Sequence, residues 1–356
     1  MYNVALLGCG RIAENHARVL DGEQVPGMKL AAVCDVDKAK ADAFAARYAV
    51  PAYYSLEEML RAPGIDFVSV LTPSGMHAEH VIAAARAGKH VLTEKPMALR
   101  VKDADRMIAE CDRAGVRLFV VKQNRFNPPV VRLREALEAG RFGKLILGTA
   151  RLRWKRTQDY YDADAWRGTW KYDGGALSNQ AVHHLDLLRW MLGDVVSVKA
   201  YASTALAKIE TEDTLVAVLK FANGALGTME ATSACRPDDM EASLSVLGEK
   251  GSVVIGGMSV NKIDTWKFTE PRPGDDTVAE ETFSTPANVY GNGHLHYYRN
   301  VYAAMEHGAP ALVDGREGRR TVELLCAIYE SVASGREVAL PFTPDKCPLG
   351  RGLPDV

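Results

Sequence analysis

The opening residues constrain the chain most. An apolar stretch from Met1 to Leu7 runs straight into Gly8-Cys9-Gly10-Arg11-Ile12-Ala13, and a second apolar run, Leu30 to Cys34, ends in Asp35. This order of strand, tight turn, helix, strand and acid, with the acid about 20 residues on, is the context in which a G-x-G-x-x-A turn means dinucleotide binding. Gly8 permits the turn and Gly10 lets a pyrophosphate approach the backbone. Arg11 and Ile12 stand at the helix N-terminus that faces the phosphates, and Ala13 keeps the helix close to the sheet. Asp35 accepts hydrogen bonds from both ribose hydroxyls and would repel a 2′-phosphate, which selects NAD over NADP even with Lys38 and Lys40 close in sequence. The plainer alternative is that Asp35 only caps the next helix.

A chain of 356 residues exceeds one ordinary core, so two domains are expected, divided at 122/123. The formal net charge of −2 gives no pull toward nucleic acid or an anionic membrane, so an anionic substrate must be held by local basic residues. No apolar run approaches the ~18 residues that span a bilayer. The first strand starts too close to Met1 for a signal peptide, and the six cysteines show no close pairing, both of which fit a reducing cytoplasm. His77 with His80, and His294 with His296, fall at helix and strand spacing, but no acid or cysteine cluster joins either pair. No metal site is expected.

The βαβ rhythm continues. Lys38 to Tyr48 reads as a helix, and Ser55 with Glu58 as a capping box. Strands are expected over Asp66 to Leu71, His90 to Thr93 and Val116 to Lys122, with helices from Met76 to Ala87 and Val101 to Arg113. These make a doubly wound parallel sheet, the Rossmann architecture, over residues 1–122. Residues 123–356 read instead as α+β with a large, mostly antiparallel open sheet. A helix at Val130 to Ala139, a strand at Lys144 to Trp154 and a helix at Ser178 to Leu192 precede five β-rich runs: Val196 to Thr204, Thr214 to Phe221, Ala225 to Ser233, Ala242 to Leu247 and Ser252 to Ile255. Asn223-Gly224 is a hairpin turn. Pro271 to Asn292, rich in Pro, Gly and charge, reads as a mobile loop, and helices from His294 and Asp314 close the chain, either within the second domain or packed back on the first.

Ligands of doubly wound sheets bind beyond the carboxyl ends of the strands. Three such ends carry polar residues: Thr72-Pro73-Ser74 with His77 following, Glu94-Lys95-Pro96, and Lys122-Gln123-Asn124-Arg125. All three are candidate cofactor contacts through Thr72, Pro73, Ser74, His77, Glu94, Lys95 and Gln123. Lys95 is fixed close to the site because it directly follows a buried strand. Further on, Gly174-Gly175 opens a helix that Ser178 would cap, on which Asn179 and His183, four apart, share a face. His183 suits proton abstraction near neutral pH.

These three stretches together, Gly8 to Ala13, Glu94-Lys95-Pro96 and Gly175 to Asp186, resemble the glucose–fructose oxidoreductase and inositol dehydrogenase family over nearly the whole chain. The resemblance implies that Lys95 and His183 act at the sugar carbon being oxidised. Many members carry Asp where this chain has Asn179; asparagine cannot ionise, so it orients a hydroxyl or the imidazole while the base role falls on His183. Lys122 to Asn127, Thr157 to Tyr161 with Trp166 to Trp170, and Ser178-Asn179-Gln180 resemble more narrowly the branch that oxidises UDP-N-acetylglucosaminuronic acid at C3 for bacterial surface polysaccharides.

Arg151, Arg153, Lys155 and Arg156 form a basic cluster, followed by Arg167 and Lys171. Arginine suits the pyrophosphate and carboxylate of a nucleotide-sugar uronate, so Arg125, Lys155, Arg156 and Arg167 join Lys95, Asn179 and His183 as expected substrate contacts. For Arg151 and Arg153, substrate contact and a solvated strand face stand as equal readings. Alternatives are a neutral sugar or inositol dehydrogenase, for which Lys155, Arg156 and Arg167 are dispensable, and a non-catalytic NAD-sensing regulator. An open sheet face, and the family resemblance, imply a homo-oligomer, tetramer or dimer.

Overall fold

The structure is a computed structural model that describes residues 1–22, 24–283 and 293–356. It divides into two compact units. The first comprises residues 1–122, 294–322 and 354–356; the second comprises 123–293 and 323–353.

In the first unit six strands, β1 (Tyr2–Leu7), β2 (Met28–Cys34), β3 (Ala52–Tyr53), β4 (Phe67–Val70), β5 (His90–Thr93) and β6 (Leu118–Val120), lie in the order β3-β2-β1-β4-β5-β6. Every pairing is parallel. The order reverses between β1 and β4, which is where such sheets bind ligands. All four residues of β4 are buried, as a strand covered on both faces requires. Gly8 has φ +102°, and a Cβ there would stand 3.0 Å from the Leu71 carbonyl oxygen, so the turn after β1 needs glycine. Asp37 caps the helix Lys38–Tyr48, accepting from the Ala39 and Lys40 amides. Ser55 caps Leu56–Arg61 through the Glu58 amide. The helix expected from Met76 is a 3₁₀ turn, Ser74–Met76, followed by α-helix over His77–Arg86.

The two closing stretches belong to this unit rather than to the second one. Val120 donates to the Val313 carbonyl, and Lys102 pairs with Asp355. The core of this unit therefore draws on the terminal helices, as the alternative of their packing back on the first domain allowed.

The second unit carries eight strands: β7 (Leu145–Arg153), β8 (Val195–Ser203), β9 (Thr214–Phe221), β10 (Leu226–Thr232), β11 (Glu241–Gly248), β12 (Gly251–Gly256), β13 (Lys262–Phe268) and β14 (Val338–Ala339). Their order is β13-β12-β11-β7-β10-β9-β8-β14, antiparallel except for the β10–β7 pair. Alternation in β9 buries Leu215, Ala217 and Leu219 and turns Val216 and Val218 outward. Asn223-Gly224 makes the expected hairpin, with Asn223 Oδ1 accepting from the Ala225 amide. In the stretch expected to be a loop, residues 271–283 contain the short helix Val278–Thr282. The rest of that loop, 284–292, lies outside the described residues.

The helix expected over Ser178–Leu192 departs from the expectation at its start. It opens as a widened π-turn over Ala176–Ala181 and becomes α-helical at Val182–Leu192. Ser178 does not cap it; its hydroxyl donates to the Asp173 carbonyl. The i, i+4 argument that put Asn179 and His183 on one face assumed 3.6 residues per turn, and a π-turn does not keep that offset.

Candidate active site

In the first unit the glycine turn leaves open space where the phosphates belong, since a Cβ at Gly10 would meet nothing within 4 Å. Arg11 is exposed and Ile12 half-buried at the helix N-terminus. Asp35 follows β2, accepting from the Cys9 amide at 2.8 Å through one oxygen and from the Asp37 amide at 2.9 Å through the other. Each oxygen keeps a second lone pair for a ribose hydroxyl. The turn, the helix end and the acid together fit a bound dinucleotide.

Thr72, Pro73 and Ser74 end β4, and Thr72 Oγ1 lies 2.8 Å from His80 Nδ1. Two of the expected cofactor contacts are corrected. The Glu94 carboxylate is buried, with Oε1 3.2 Å from His16 Nε2 and 3.8 Å from His294 Nε2, while Oε2 accepts from the Lys95 amide. Burial alone would raise its pKa, but the His16 hydrogen bond and the neighbouring His294 ring hold it well below the usual carboxylate range. His77 is buried too, its Nδ1 2.9 Å from the Pro96 carbonyl oxygen and its Nε2 2.8 Å from that of Thr72. Both residues spend their polar atoms inside the unit and shape the site from beneath. Lys95, between Glu94 and Pro96, is half-buried. Neither His77 with His80 nor His294 with His296 forms the one group found among the described residues; instead His16, Glu94 and His294 bring ligand atoms within 4.8 Å of one another. Strand order set Glu94 there, which spacing along the sequence does not reveal.

In the second unit the Gln123 amide lies 3.3 Å from His183 Nε2. A neutral imidazole has one N–H and one acceptor nitrogen, so its tautomer sets which of the two groups donates here. His184 is buried, and burial pushes its pKa down to about 4, so it stays neutral at physiological pH. The Asn179 amide donates to Asp173, whose other oxygen accepts from the Gly168 amide at 2.8 Å. A carboxylate only accepts, so Asn179 must turn its nitrogen toward Asp173 and its oxygen toward Gln180, which donates to it at 2.9 Å. Gln180 also donates to Tyr160 at 2.7 Å and accepts from Arg156 at 3.3 Å. Arg167 donates to the same Tyr160 hydroxyl at 2.7 Å, and its guanidinium stacks on Tyr160 and Trp166. Asn179, Arg156 and Arg167 thus belong to one polar chain. Lys155 stands apart, facing Asp238 at 3.4 Å.

Arg125 is a further correction. Its guanidinium is buried in a two-point pair with Asp186 at 2.7 and 2.8 Å and lies over Trp190, so it braces the unit instead of meeting substrate. Arg151 and Arg153 pair with Glu230 and Glu241 across neighbouring strands, which decides for the strand-face reading. Sequence reading missed Asp173, Glu212 and His16. Asp173 directly precedes Gly174-Gly175, and His16 sits three residues after Ala13 on the buried face of its helix; Glu212 left no signal.

A Rossmann unit with an open glycine turn and a ribose-facing acid, and a second unit presenting an imidazole beside an amide and arginines, define a dinucleotide-dependent dehydrogenase. Two family models cover most of the chain: "Oxidoreductase family, NAD-binding Rossmann fold" over residues 2–122 and "Oxidoreductase family, C-terminal alpha/beta domain" over residues 134–340. The chain belongs to the GFO/IDH/MocA oxidoreductase family and is an NAD-dependent oxidoreductase acting on CH–OH groups.

Among curated relatives it is 28% identical to the myo-inositol 2-dehydrogenase of Thermotoga maritima, over 95% of this chain and 98% of that one. It is 26% identical to a D-apiose dehydrogenase of Paraburkholderia graminis, over 97% and 91%. Among solved structures it is similar to the WlbA dehydrogenase of Bordetella pertussis in complex with NADH and UDP-GlcNAcA, with a TM-score of 0.89, 43% identity and coverage of 96% and 99%. Among the described residues, no helix is long and apolar enough to cross a membrane.

Proposed function

We propose that the chain oxidises a secondary hydroxyl, at C3, of a nucleotide-linked sugar uronate such as UDP-N-acetylglucosaminuronic acid. The observation that carries this reading is the polar chain from Asn179 through Gln180 and Tyr160 to Arg156 and Arg167. A neutral polyol needs no such arginines, whereas a uronate and a pyrophosphate do. The WlbA dehydrogenases, at 43% identity, were crystallised with that ligand and support the same substrate.

His183 Nε2 accepts the hydroxyl proton; a positioned base contributes about 10²–10⁴-fold. Lys95, as an ammonium, stabilises the negative charge that grows on the oxygen. Asn179, its amide oriented by Asp173, fixes the substrate hydroxyl. NAD, when bound, supplies the hydride acceptor. The outer face of the second unit's sheet takes a second copy of the chain, making a homo-oligomer.

Arg167→Ala and Arg156→Ala test the substrate class. The KM for the uronate should rise on the order of 10-fold or more, as expected for loss of a charge-assisted hydrogen bond worth about 1.5–3 kcal/mol, with NAD affinity unchanged. An unaltered KM in both variants, together with turnover of free inositols, would establish the neutral-sugar alternative instead.

A further inference from the structure

Two buried histidines from different helices hold the residues on either side of Lys95. His16, on the helix Ala13–Asp21 that begins at the dinucleotide turn, has Nε2 3.2 Å from Glu94 Oε1. His77, which opens the helix His77–Arg86, has Nδ1 2.9 Å from the Pro96 carbonyl oxygen and Nε2 2.8 Å from that of Thr72. We propose that His16 and His77 are positioning residues for the dehydrogenase step, holding the backbone of Lys95 from both flanks so that its ammonium arrives where charge develops. The inference rests on the reading of Lys95 as catalytic.

The hydrogen bonds around His16 form a closed series. Burial favours the neutral ring against the pull of the Glu94 hydrogen bond, and a neutral ring has one donor and one acceptor. Nε2–H donates to Glu94, which is a carboxylate and only accepts. Nδ1 therefore accepts from the Tyr298 hydroxyl 2.7 Å away. Glu94 Oε2 in turn accepts from the Lys95 amide at 3.1 Å. The His294 ring packs edge-on against His16, 5.0 Å between centroids, and closes the far side. The series runs from Tyr298 through His16 to Glu94, and its last bond holds the backbone amide of Lys95. On the other flank the buried His77 ring lies between the Pro96 and Thr72 carbonyl oxygens and, burial favouring its neutral form, has one N–H to donate to them. A displacement of about 1 Å at a catalytic group can cost on the order of 10²-fold, so such bracing has kinetic consequences far larger than its contribution to folding.

A double-mutant cycle tests this. His16→Ala and His77→Ala are each made in the full-length enzyme and again with Lys95→Ala, and hydride transfer is followed in single turnovers with UDP-GlcNAcA and NAD. In the Lys95 background each is expected to lose on the order of 10²-fold in rate, with NAD affinity unchanged. In the Lys95→Ala background each should lose nothing further. His16→Gln and His77→Asn, which keep an amide at the contacting nitrogen, should restore most of the rate. If His16→Ala does not fold, Tyr298→Phe, which removes only the hydroxyl that donates to His16, replaces it in the cycle. Losses that multiply with that of Lys95→Ala would overturn the proposal, as would a rate that falls on chelation and returns with zinc. A Lys95→Ala enzyme at near wild-type rate would overturn the catalytic reading of Lys95 itself.

Discussion

Glu212 is a buried acid in the second unit, accepting from the Leu177 amide at 3.0 Å and the Tyr329 hydroxyl at 2.8 Å. Burial pushes its pKa up to about 7 despite those two bonds. The folded protein therefore holds a proton that the unfolded chain has released, over the range from the ordinary carboxylate value to about pH 7. Stability falls as pH rises through that range, by up to about 3 kcal/mol, and is level beyond it. Glu212→Gln should remove this slope, leaving the variant more stable than wild type at pH 8 but not at pH 4.5. Denaturant titrations at the two pH values measure it. The residues that follow a strand end or a glycine turn, such as Lys95 and Asp35, were legible from sequence because local chain geometry places them. Asp173, His16 and Glu212 act through partners 6, 78 and 117 positions away respectively, and no local pattern encodes such distances.

Among the elements, the helix Val182–Leu192 is tied to the 3₁₀ turn Gln123–Phe126 by the Arg125–Asp186 pair, 1% and 2% exposed at the side chains. Truncating one partner leaves the other charge buried alone, a loss of about 3–5 kcal/mol. Arg125→Ala should therefore lower the denaturation midpoint sharply, whereas Lys155→Ala, at a side chain 37% exposed, has little effect on the midpoint. Equal stability effects of the two variants would contradict the structural reading of Arg125. The π-turn at Ala176–Ala181 was not legible, because its residues have ordinary helical composition; Gly175 before it is required, since a Cβ there would stand 2.0 Å from Glu212 Oε2 and 2.3 Å from its carbonyl oxygen. Strand β13 was also missed, because it is an edge strand in which Ile263 alone is fully buried, so alternation is faint. The Asn223-Gly224 hairpin was plain, since its turn chemistry is complete within two residues.

At the scale of the whole molecule, the sheet of the second unit turns Tyr201, Val216 and Val218 outward, with Tyr201 directly beside Val216 and Val218 53% exposed. Leu226, at the start of β10, adds to this patch, which a second copy would cover. Val216→Asp combined with Val218→Asp should reduce the molecular mass measured by sedimentation; an unchanged mass would place the interface elsewhere. The parallel and antiparallel halves were readable from their rhythms. The return of residues 294–322 to the first unit was one of two readings the sequence left open, because it rests on contacts such as Tyr298 to His16 that join opposite ends of the chain.

The central claim is the oxidation of a nucleotide-sugar uronate by NAD, and its most direct measurement is NADH formation, followed by absorbance, with UDP-GlcNAcA, UDP-N-acetylglucosamine and myo-inositol offered separately. The account predicts turnover with the uronate, little with the neutral nucleotide sugar and none with inositol, all abolished by Lys95→Ala. Faster turnover of inositol than of the uronate would contradict it.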